Sequence, residues 1–219
     1  MTTDKFLLEL KTLEYDKDCL HKIFNEVKDK ARTKHLPWRR ATSSSASNAT
    51  GLVIQFGDFM ITDPSDENLS CNLLSFQYIS QLVNQLNVSH TIFPDQVDII
   101  WYKPGFTFEP HVDHRAASTV MFPIFPEDGG APIDFYYRED IQLEAGVAAD
   151  FKKQLTSNDI NHTHYYNTSY PTIFNSHWIH GVRTVDRDRA YLRVRLDESF
   201  SSIMEKFKKN ILVKGKNDC

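Results

Sequence analysis

Apolar side chains recur with helical spacing at Leu20, Ile23, Phe24 and Val27, and again at Phe76, Ile79, Leu82, Val83 and Leu86. Positions three and four apart share one face of a helix, so both runs predict amphipathic helices that bury a single stripe. A third run, Phe200, Ile203, Met204, Phe207 and Ile211, predicts a closing helix. Between the second and the third the period shortens. Residues 97–102, 118–125, 132–138, 172–176 and 190–196 read as short strands, punctuated by Pro and Gly in the manner of all-β barrels and sandwiches.

The last strand is the most strictly alternating. Ala190, Leu192, Val194 and Leu196 fall on one face, and Arg189, Tyr191, Arg193 and Arg195 on the other. The apolar face is expected to pack beneath the helices. For Arg193 and Arg195 a solvent-facing strand surface and a role in a site both stay open. Residues 43–51 form a small-residue loop. Residues 139–170 are long and polar between two core strands, and read as an insertion, either a substrate loop or surface decoration. The organisation expected is one domain. A helical support region spans 1–94, a β core spans 95–198 with the insertion 139–170, and a helix and tail span 199–219.

Composition narrows the class. A chain of 219 residues with 41% hydrophobic and 25% charged residues suits one soluble domain with a substantial core. A net charge of -4 argues against a whole-molecule footprint for nucleic acid. The basic stretch 206–216 reads as a solvated helix face and tail. No run approaches the ~18 apolar residues that cross a bilayer, and residues 1–6 lack a charged-then-apolar leader. Cys19, Cys71 and Cys219 form neither a pair pattern nor a zinc spacing. A cytoplasmic location is expected, with no membrane partner.

The chemistry concentrates in Trp101-Tyr-Lys-Pro-Gly-Phe-Thr-Phe-Glu-Pro-His111-Val-Asp113. With nine histidines and 29 acidic residues, about one His-x-Asp/Glu triplet is expected by chance. Context therefore decides. In extended chain His111 and Asp113 point to one side while Val112 points away. Two histidines and one carboxylate on one face of a metal, with the other positions open, suit non-haem Fe(II) oxygen chemistry. The third ligand is placed at His180, with His177 the nearest competitor and His114, His162 and His164 also available. Arg189, nine residues beyond His180, offers a bidentate fork for a carboxylate cosubstrate.

Tyr102-Lys-Pro-Gly105 followed by His111-Val-Asp113, Gly129-Gly130 leading to Phe135, and His180-Gly-Val with Arg189 occur in order over about half the chain. Together they resemble the Fe(II)- and 2-oxoglutarate-dependent dioxygenase superfamily, in its prolyl-hydroxylase-like branch. The resemblance implies a mainly β fold with flanking helices around a double-stranded β-helix, a jelly-roll or cupin-like core. It implies that His111, Asp113 and His180 hold Fe(II). It further implies that 2-oxoglutarate chelates the iron and meets Arg189 with its far carboxylate, that O2 is consumed, and that ascorbate serves as reductant.

Some relatives end in Arg-x-Ser where this chain has Arg189-Ala-Tyr191. The Tyr191 phenol either replaces that hydroxyl on the cosubstrate or the contact is missing. Tyr102 is read as a donor to a cosubstrate carboxylate or as a packed barrel tyrosine. Asn175 is read as a bond to cosubstrate or ligand shell, or as a strand-end amide. Arg115 is a surface ion pair or a contact for an anionic substrate, and Trp101, Phe106 and Phe108 are core. The activity implied is hydroxylation of a C–H bond in an amino acid, peptide or protein side chain, giving succinate and CO2. Oxidative nucleic-acid demethylation and a non-catalytic cupin-like binder of small acids or metal are the alternatives. A small-molecule, peptide or protein substrate is the expected partner. The substrate itself is expected to be chosen by the loops 139–170 and 41–51.

Overall fold

The computed structural model describes residues 5–33, 39–40, 51–55, 69–89, 97–113, 116–126, 130–139, 141, 155–165 and 169–214, with backbone alone for 30–33, 39–40, 51–55 and 69–76. His114, Arg115, Gly129 and nearly all of the 41–51 loop lie outside the described residues. The strands are β1 (Leu7–Glu9), β2 (Arg39–Arg40), β3 (Gly51–Gln55), β4 (Val97–Tyr102), β5 (Phe108–His111) and β6 (Ser118–Phe125), followed by β7 (Ile133–Tyr136), β8 (Ile160–His164), β9 (Thr172–Phe174), β10 (His180–Val182) and β11 (Arg189–Leu196). Among the described residues three α-helices flank them: α1 (Lys17–Thr33), α2 (Leu69–Asn84) and α3 (Phe200–Lys208). None is long and apolar enough to cross a membrane.

The strands form two antiparallel sheets, ordered β1-β9-β6-β11-β4-β3-β2 and β5-β10-β7-β8. From β4 onward the chain shuttles between them, placing β4, β6, β9 and β11 in the large sheet and β5, β7, β8 and β10 in the small one. This is a double-stranded β-helix, mainly β with flanking helices, as the sequence motifs imply.

The period-2 pattern of β11 explains how the layers stack. Ala190, Leu192, Val194 and Leu196 join Ile99, Val120, Phe122 and Ile173 in a cluster with the buried stripes of the three helices. Phe24 of α1 meets Trp101 and Phe125 edge-on, with ring centroids 5.5 and 4.9 Å away. The opposite face of the large sheet looks into the space between the sheets. There Ile100, Tyr102, Met121, Phe174 and Tyr191 meet Phe106, Ile133, Phe135 and Val182 in a second cluster. Arg193 and Arg195 therefore point into the barrel interior. The solvent-facing reading of these two is set aside.

Two boundaries differ from the sequence pattern for local reasons. The closing helix was expected to run to Ile211 but stops at Lys208. Asn210 takes φ 56°, a left-handed conformation that Asn tolerates. Asn210 N–H then donates to Phe207 O at 2.9 Å and Ile211 N–H to Lys206 O at 3.0 Å, the paired bonds of a Schellman stop. Phe207 and Ile211 are left exposed. Likewise the stretch 139–170, expected as an insertion, contains β8, a strand of the small sheet. Its Ile-Asn-His-Thr-His sequence places His162 and His164 on the interior face, so the usual apolar alternation is missing.

The Tyr102-Lys-Pro-Gly105 motif is a turn. Phe106 N–H donates to Lys103 O at 3.1 Å, with Pro104 and Gly105 at its two central positions and Gly105 at φ 86°. Pro sets the first central φ and glycine accepts the second, which is type II chemistry. The turn sends the chain from β4 of the large sheet to β5 of the small one, and so delivers His111 to the barrel.

Candidate metal centre

His111 ends β5 and His180 begins β10, and the two are directly opposed in the antiparallel register. Opposed residues present side chains to the same face, and the imidazole centroids lie 4.4 Å apart. Asp113 follows two residues after His111, its backbone N–H donating to Ser176 O at 3.1 Å. One carboxylate oxygen lies 3.9 Å from His111 Nε2, and the other 3.8 Å from His180 Nε2. Donors that share an ion at about 2.1 Å each are at most about 4.2 Å apart, and both separations satisfy this. Among the described residues, this is the one cluster of three His, Cys, Asp or Glu donors within such reach.

The close register depends on Gly181. A Cβ there would lie 2.8 Å from Phe108 O and 3.3 Å from Pro110 N, so β5 and β10 approach at a point where no side chain fits. The pairing shifts between His180 and Val182 at the same place. Gly181→Ala is expected to destabilise the fold by about 1–3 kcal/mol through overpacking. It is also expected to displace His111 from His180, weakening metal binding more than its loss of stability alone accounts for. Thermal unfolding and metal titration of the variant together measure both effects.

Hydrogen bonding assigns the nitrogens. His111 Nδ1 lies 2.7 Å from Glu109 O and His180 Nδ1 lies 2.8 Å from Trp178 O. A carbonyl only accepts, so each Nδ1 carries the hydrogen, and in the neutral ring each Nε2 presents its lone pair to Asp113. Two lone pairs and a carboxylate facing one another are mutually unfavourable without a cation between them. This donor set fits a divalent metal, with the outer nitrogens oriented by main-chain carbonyls in the usual second-shell manner.

Burial pushes the His111 imidazole down to about 3, with the neighbouring His180 and Arg193 acting the same way and Asp113 and the Glu109 carbonyl opposing them. Burial alone would raise the Asp113 carboxyl. Arg193, the two imidazoles and Arg195 outweigh it and hold the group below its ordinary range. Asp113 is thus ionised and His111 neutral near neutral pH, the forms that bind metal.

Behind the three donors lies an ionic network that the sequence left open. Asp98 of β4 is fully buried, and its Oδ2 accepts from Arg193 Nε at 2.9 Å and Nη2 at 2.7 Å. Arg195 Nη2 reaches the same oxygen at 2.7 Å. The remaining arm of Arg193, Nη1, lies 3.9 Å from Asp113 Oδ2. Burial works against the Arg193 charge, but Asp98 and Asp113 outweigh it and hold the guanidinium firmly protonated. Asp98 was a missed residue. Its one sequence signal is a carboxylate inside the apolar run Val97–Tyr102, in phase with Ile100 and Tyr102.

Arg189 is fully buried and donates from Nη1 to Ala131 O at 2.7 Å. Its guanidinium carbon stands 5.9 Å from the Tyr102 ring and 5.4 Å from the Tyr191 ring. The two phenol oxygens are 3.0 Å apart and share a hydrogen bond. The structure therefore gathers Arg189, Tyr102 and Tyr191 deep in the barrel. It separates Asn175 from them. The Asn175 side chain donates to Lys5 O at 3.4 Å and accepts from His177 N–H at 3.2 Å, holding a turn at the end of β9. It is one residue out of phase with Phe174, the neighbour whose ring enters the barrel, so a cosubstrate contact has no support in its geometry. His177 is exposed in that turn, which removes it as a competitor for the third donor position. Trp101 and Phe106 are core as expected, whereas Phe108 packs edge-on against His111 at 3.9 Å.

A further buried histidine, His164 of β8, is pushed down to about 4 by burial, with Arg189 and His162 adding to the effect and Glu9 opposing it. A histidine whose folded pKa lies below its unfolded value near ~6.5 stabilises the fold above that pH, and this stability is lost as pH falls towards the folded value. His111 and His164 both act in this sense. The metal-free protein is expected to lose unfolding temperature progressively between about pH 6.5 and 4. His164→Gln, which cannot titrate, is expected to flatten that slope in a pH series of thermal melts.

No family model and no curated protein sequence matches the chain. Solved structures do resemble its fold. A prolyl hydroxylase from Trichoplax adhaerens, in complex with a hypoxia inducible factor oxygen degradation domain peptide fragment, aligns with a TM-score of 0.53 at 14% identity, covering 92% of this chain and 87% of that one. The epimerase SnoN, in complex with Fe3+, alpha ketoglutarate and nogalamycin RO, aligns at 0.51 with 11% identity, covering 87% and 78%. SnoN is a non-heme alpha ketoglutarate dependent epimerase. At such identities the likeness establishes the shared fold, a double-stranded β-helix extending over most of both chains.

Proposed function

We propose that this chain is a non-haem Fe(II)- and 2-oxoglutarate-dependent dioxygenase that hydroxylates an unactivated C–H bond of an amino acid, peptide or protein side chain. The observation that carries the proposal is the convergence of His111, Asp113 and His180, each imidazole turning its Nε2 to the carboxylate. These three residues would hold Fe(II), leaving the rest of its coordination for cosubstrate and O2. Such a centre supplies oxidative decarboxylation of 2-oxoglutarate to succinate and CO2, coupled to oxidation of a substrate carbon.

The protein's own contribution is positioning. Arg189, in the apolar interior beside Tyr102 and Tyr191, would bind the distal carboxylate of 2-oxoglutarate. A guanidinium in that setting loses little to solvent and offers a planar fork. The phenols of Tyr102 and Tyr191 stand ready to donate to the same carboxylate by exchanging their mutual bond. The Arg193–Asp98–Arg195 network would hold Asp113 in place and keep it ionised. Packing around Phe106, Phe135 and Phe174 excludes water from the inner end of the site.

A peptide or protein substrate is the preferred class. The peptide complex of the Trichoplax adhaerens hydroxylase supports it, as does the position of Asp113 and His111 at the more exposed side of the site, where a large substrate has access. Ascorbate would serve as reductant. With Fe(II), ascorbate and 2-oxoglutarate, the protein is expected to release succinate slowly even without substrate, and faster when the correct amino acid or peptide is added. Succinate release no greater than that of a His111→Ala control would overturn the proposal.

A further inference from the structure

Among the described residues, His164 is a chemically versatile side chain of the barrel interior that the site described above leaves unused. It is 8% exposed, and its Nε2 is buried with no hydrogen-bond partner among the described residues. Leaving a buried imidazole nitrogen unmatched costs about 1–3 kcal/mol, so such a group implies a partner that arrives later.

Strand register shows where it faces. His164 is directly opposite Ile133 on β7, which is opposite Val182 on β10. Ile133 and Val182 belong to the inter-sheet cluster, and cross-strand partners share a face, so His164 looks into the same interior. Two residues before Ile133, Ala131 receives the Arg189 guanidinium on its carbonyl. His164 is thus about 7 Å along one strand and about 5 Å across to the next from the residue that anchors Arg189. Arg189 is close enough for its charge to weigh against a proton on His164, which keeps the ring neutral.

We infer that His164 is a cosubstrate-binding residue, donating from Nε2–H to the distal carboxylate of 2-oxoglutarate while Arg189 binds the same group from the large sheet. The inference rests on the dioxygenase reading. A carboxylate has two oxygens and about four lone-pair directions, so it accommodates a guanidinium fork and an imidazole from opposite sides. A neutral donor at this point adds a hydrogen bond without a second buried cation. It also selects against keto acids that lack a second carboxylate, because His164 Nε2 would then be left unmatched.

The test uses the protein loaded with Mn(II), and calorimetric binding of two keto acids: 2-oxoglutarate, and pyruvate, which lacks the distal carboxylate. His164→Leu is expected to weaken 2-oxoglutarate roughly 10-fold or more, and to leave pyruvate and Mn(II) affinity within about twofold of wild type. His164→Gln retains an N–H donor and is expected to recover most of the 2-oxoglutarate affinity, which guards against an effect of folding in the leucine variant. Unchanged 2-oxoglutarate affinity in His164→Leu, or equal weakening of both keto acids, overturns this inference alone. Failure of the wild type to bind either keto acid overturns it together with the dioxygenase reading.

Discussion

Asp113→Ala is expected to abolish Fe(II) binding in the micromolar range and to lower succinate release by more than about 100-fold, a larger loss than that expected for residues that only orient a ligand. The reason is electrostatic as well as geometric. Asp113 is the negative charge placed between the two Nε2 atoms. Without it, an incoming cation faces two imidazoles backed by a network of two guanidinium groups on a single carboxylate, Asp98. That surplus positive charge repels the metal. The fold is expected to survive, because the Asp113 side chain is 26% exposed and Arg193 keeps both of its bonds to Asp98. Chelator-competition binding, read beside thermal melts of the metal-free protein, separates loss of metal from loss of structure. A metal-free variant that melts within a few degrees of wild type yet fails to retain Fe(II) is the expected pair of results.

Asp98→Ala is expected to show the reverse, a large loss of stability. Asp98 is fully buried and is the shared acceptor of Arg193 and Arg195. Breaking a buried ion pair by removing one partner typically costs about 3–5 kcal/mol, because the remaining charge stays uncompensated. In a chain of this size that corresponds to a fall of about 10 °C in unfolding temperature. A second consequence distinguishes this network from ordinary core ionic pairing. Once released, Arg193 has Asp113 as its nearest carboxylate, at 3.9 Å from Nη1. A guanidinium closing on Asp113 competes with the metal, so Fe(II) affinity is expected to fall even under conditions where the variant is folded. Denaturant titration and metal binding at low temperature measure the two effects. Stability within 1 kcal/mol of wild type, read against the usual cost of a broken buried pair, would contradict the assignment of Asp98 as the keystone of the network.

How far the sequence carried can be judged residue by residue. The β11 strand was legible because its alternation is strict over eight residues and one face is wholly apolar. The candidate His111–Asp113 pair was legible because the two residues are local in sequence, and the Tyr-Lys-Pro-Gly turn before them is local chemistry as well. What stayed hidden depended on pairing between distant strands. Nothing in the neighbourhood of Arg193 announces that Asp98, 95 residues earlier, is its partner.

The preference for His180 over His177 is likewise tertiary, and rests on which of them lies opposite His111 in the sheet. Strand β8 escaped notice for the opposite reason to β11. Its inward positions carry His162 and His164 where a barrel strand ordinarily carries apolar residues, so the strand read as a polar loop. For Asn175 the sequence left a cosubstrate contact and a strand-end amide both open, and its bonds to Lys5 and His177 at the end of β9 fit the second.

The central claim is that His111, Asp113 and His180 grip one metal ion while leaving room for a chelating keto acid. An anaerobic titration tests it most directly: Fe(II) is added to the protein, then 2-oxoglutarate, with the visible spectrum recorded throughout. The account predicts a weak charge-transfer band that appears only after the second addition, saturates at one equivalent of each, and is absent in His180→Ala. A wild-type protein that binds Fe(II) but develops no band with saturating 2-oxoglutarate, or a band that persists undiminished in His180→Ala, would contradict it.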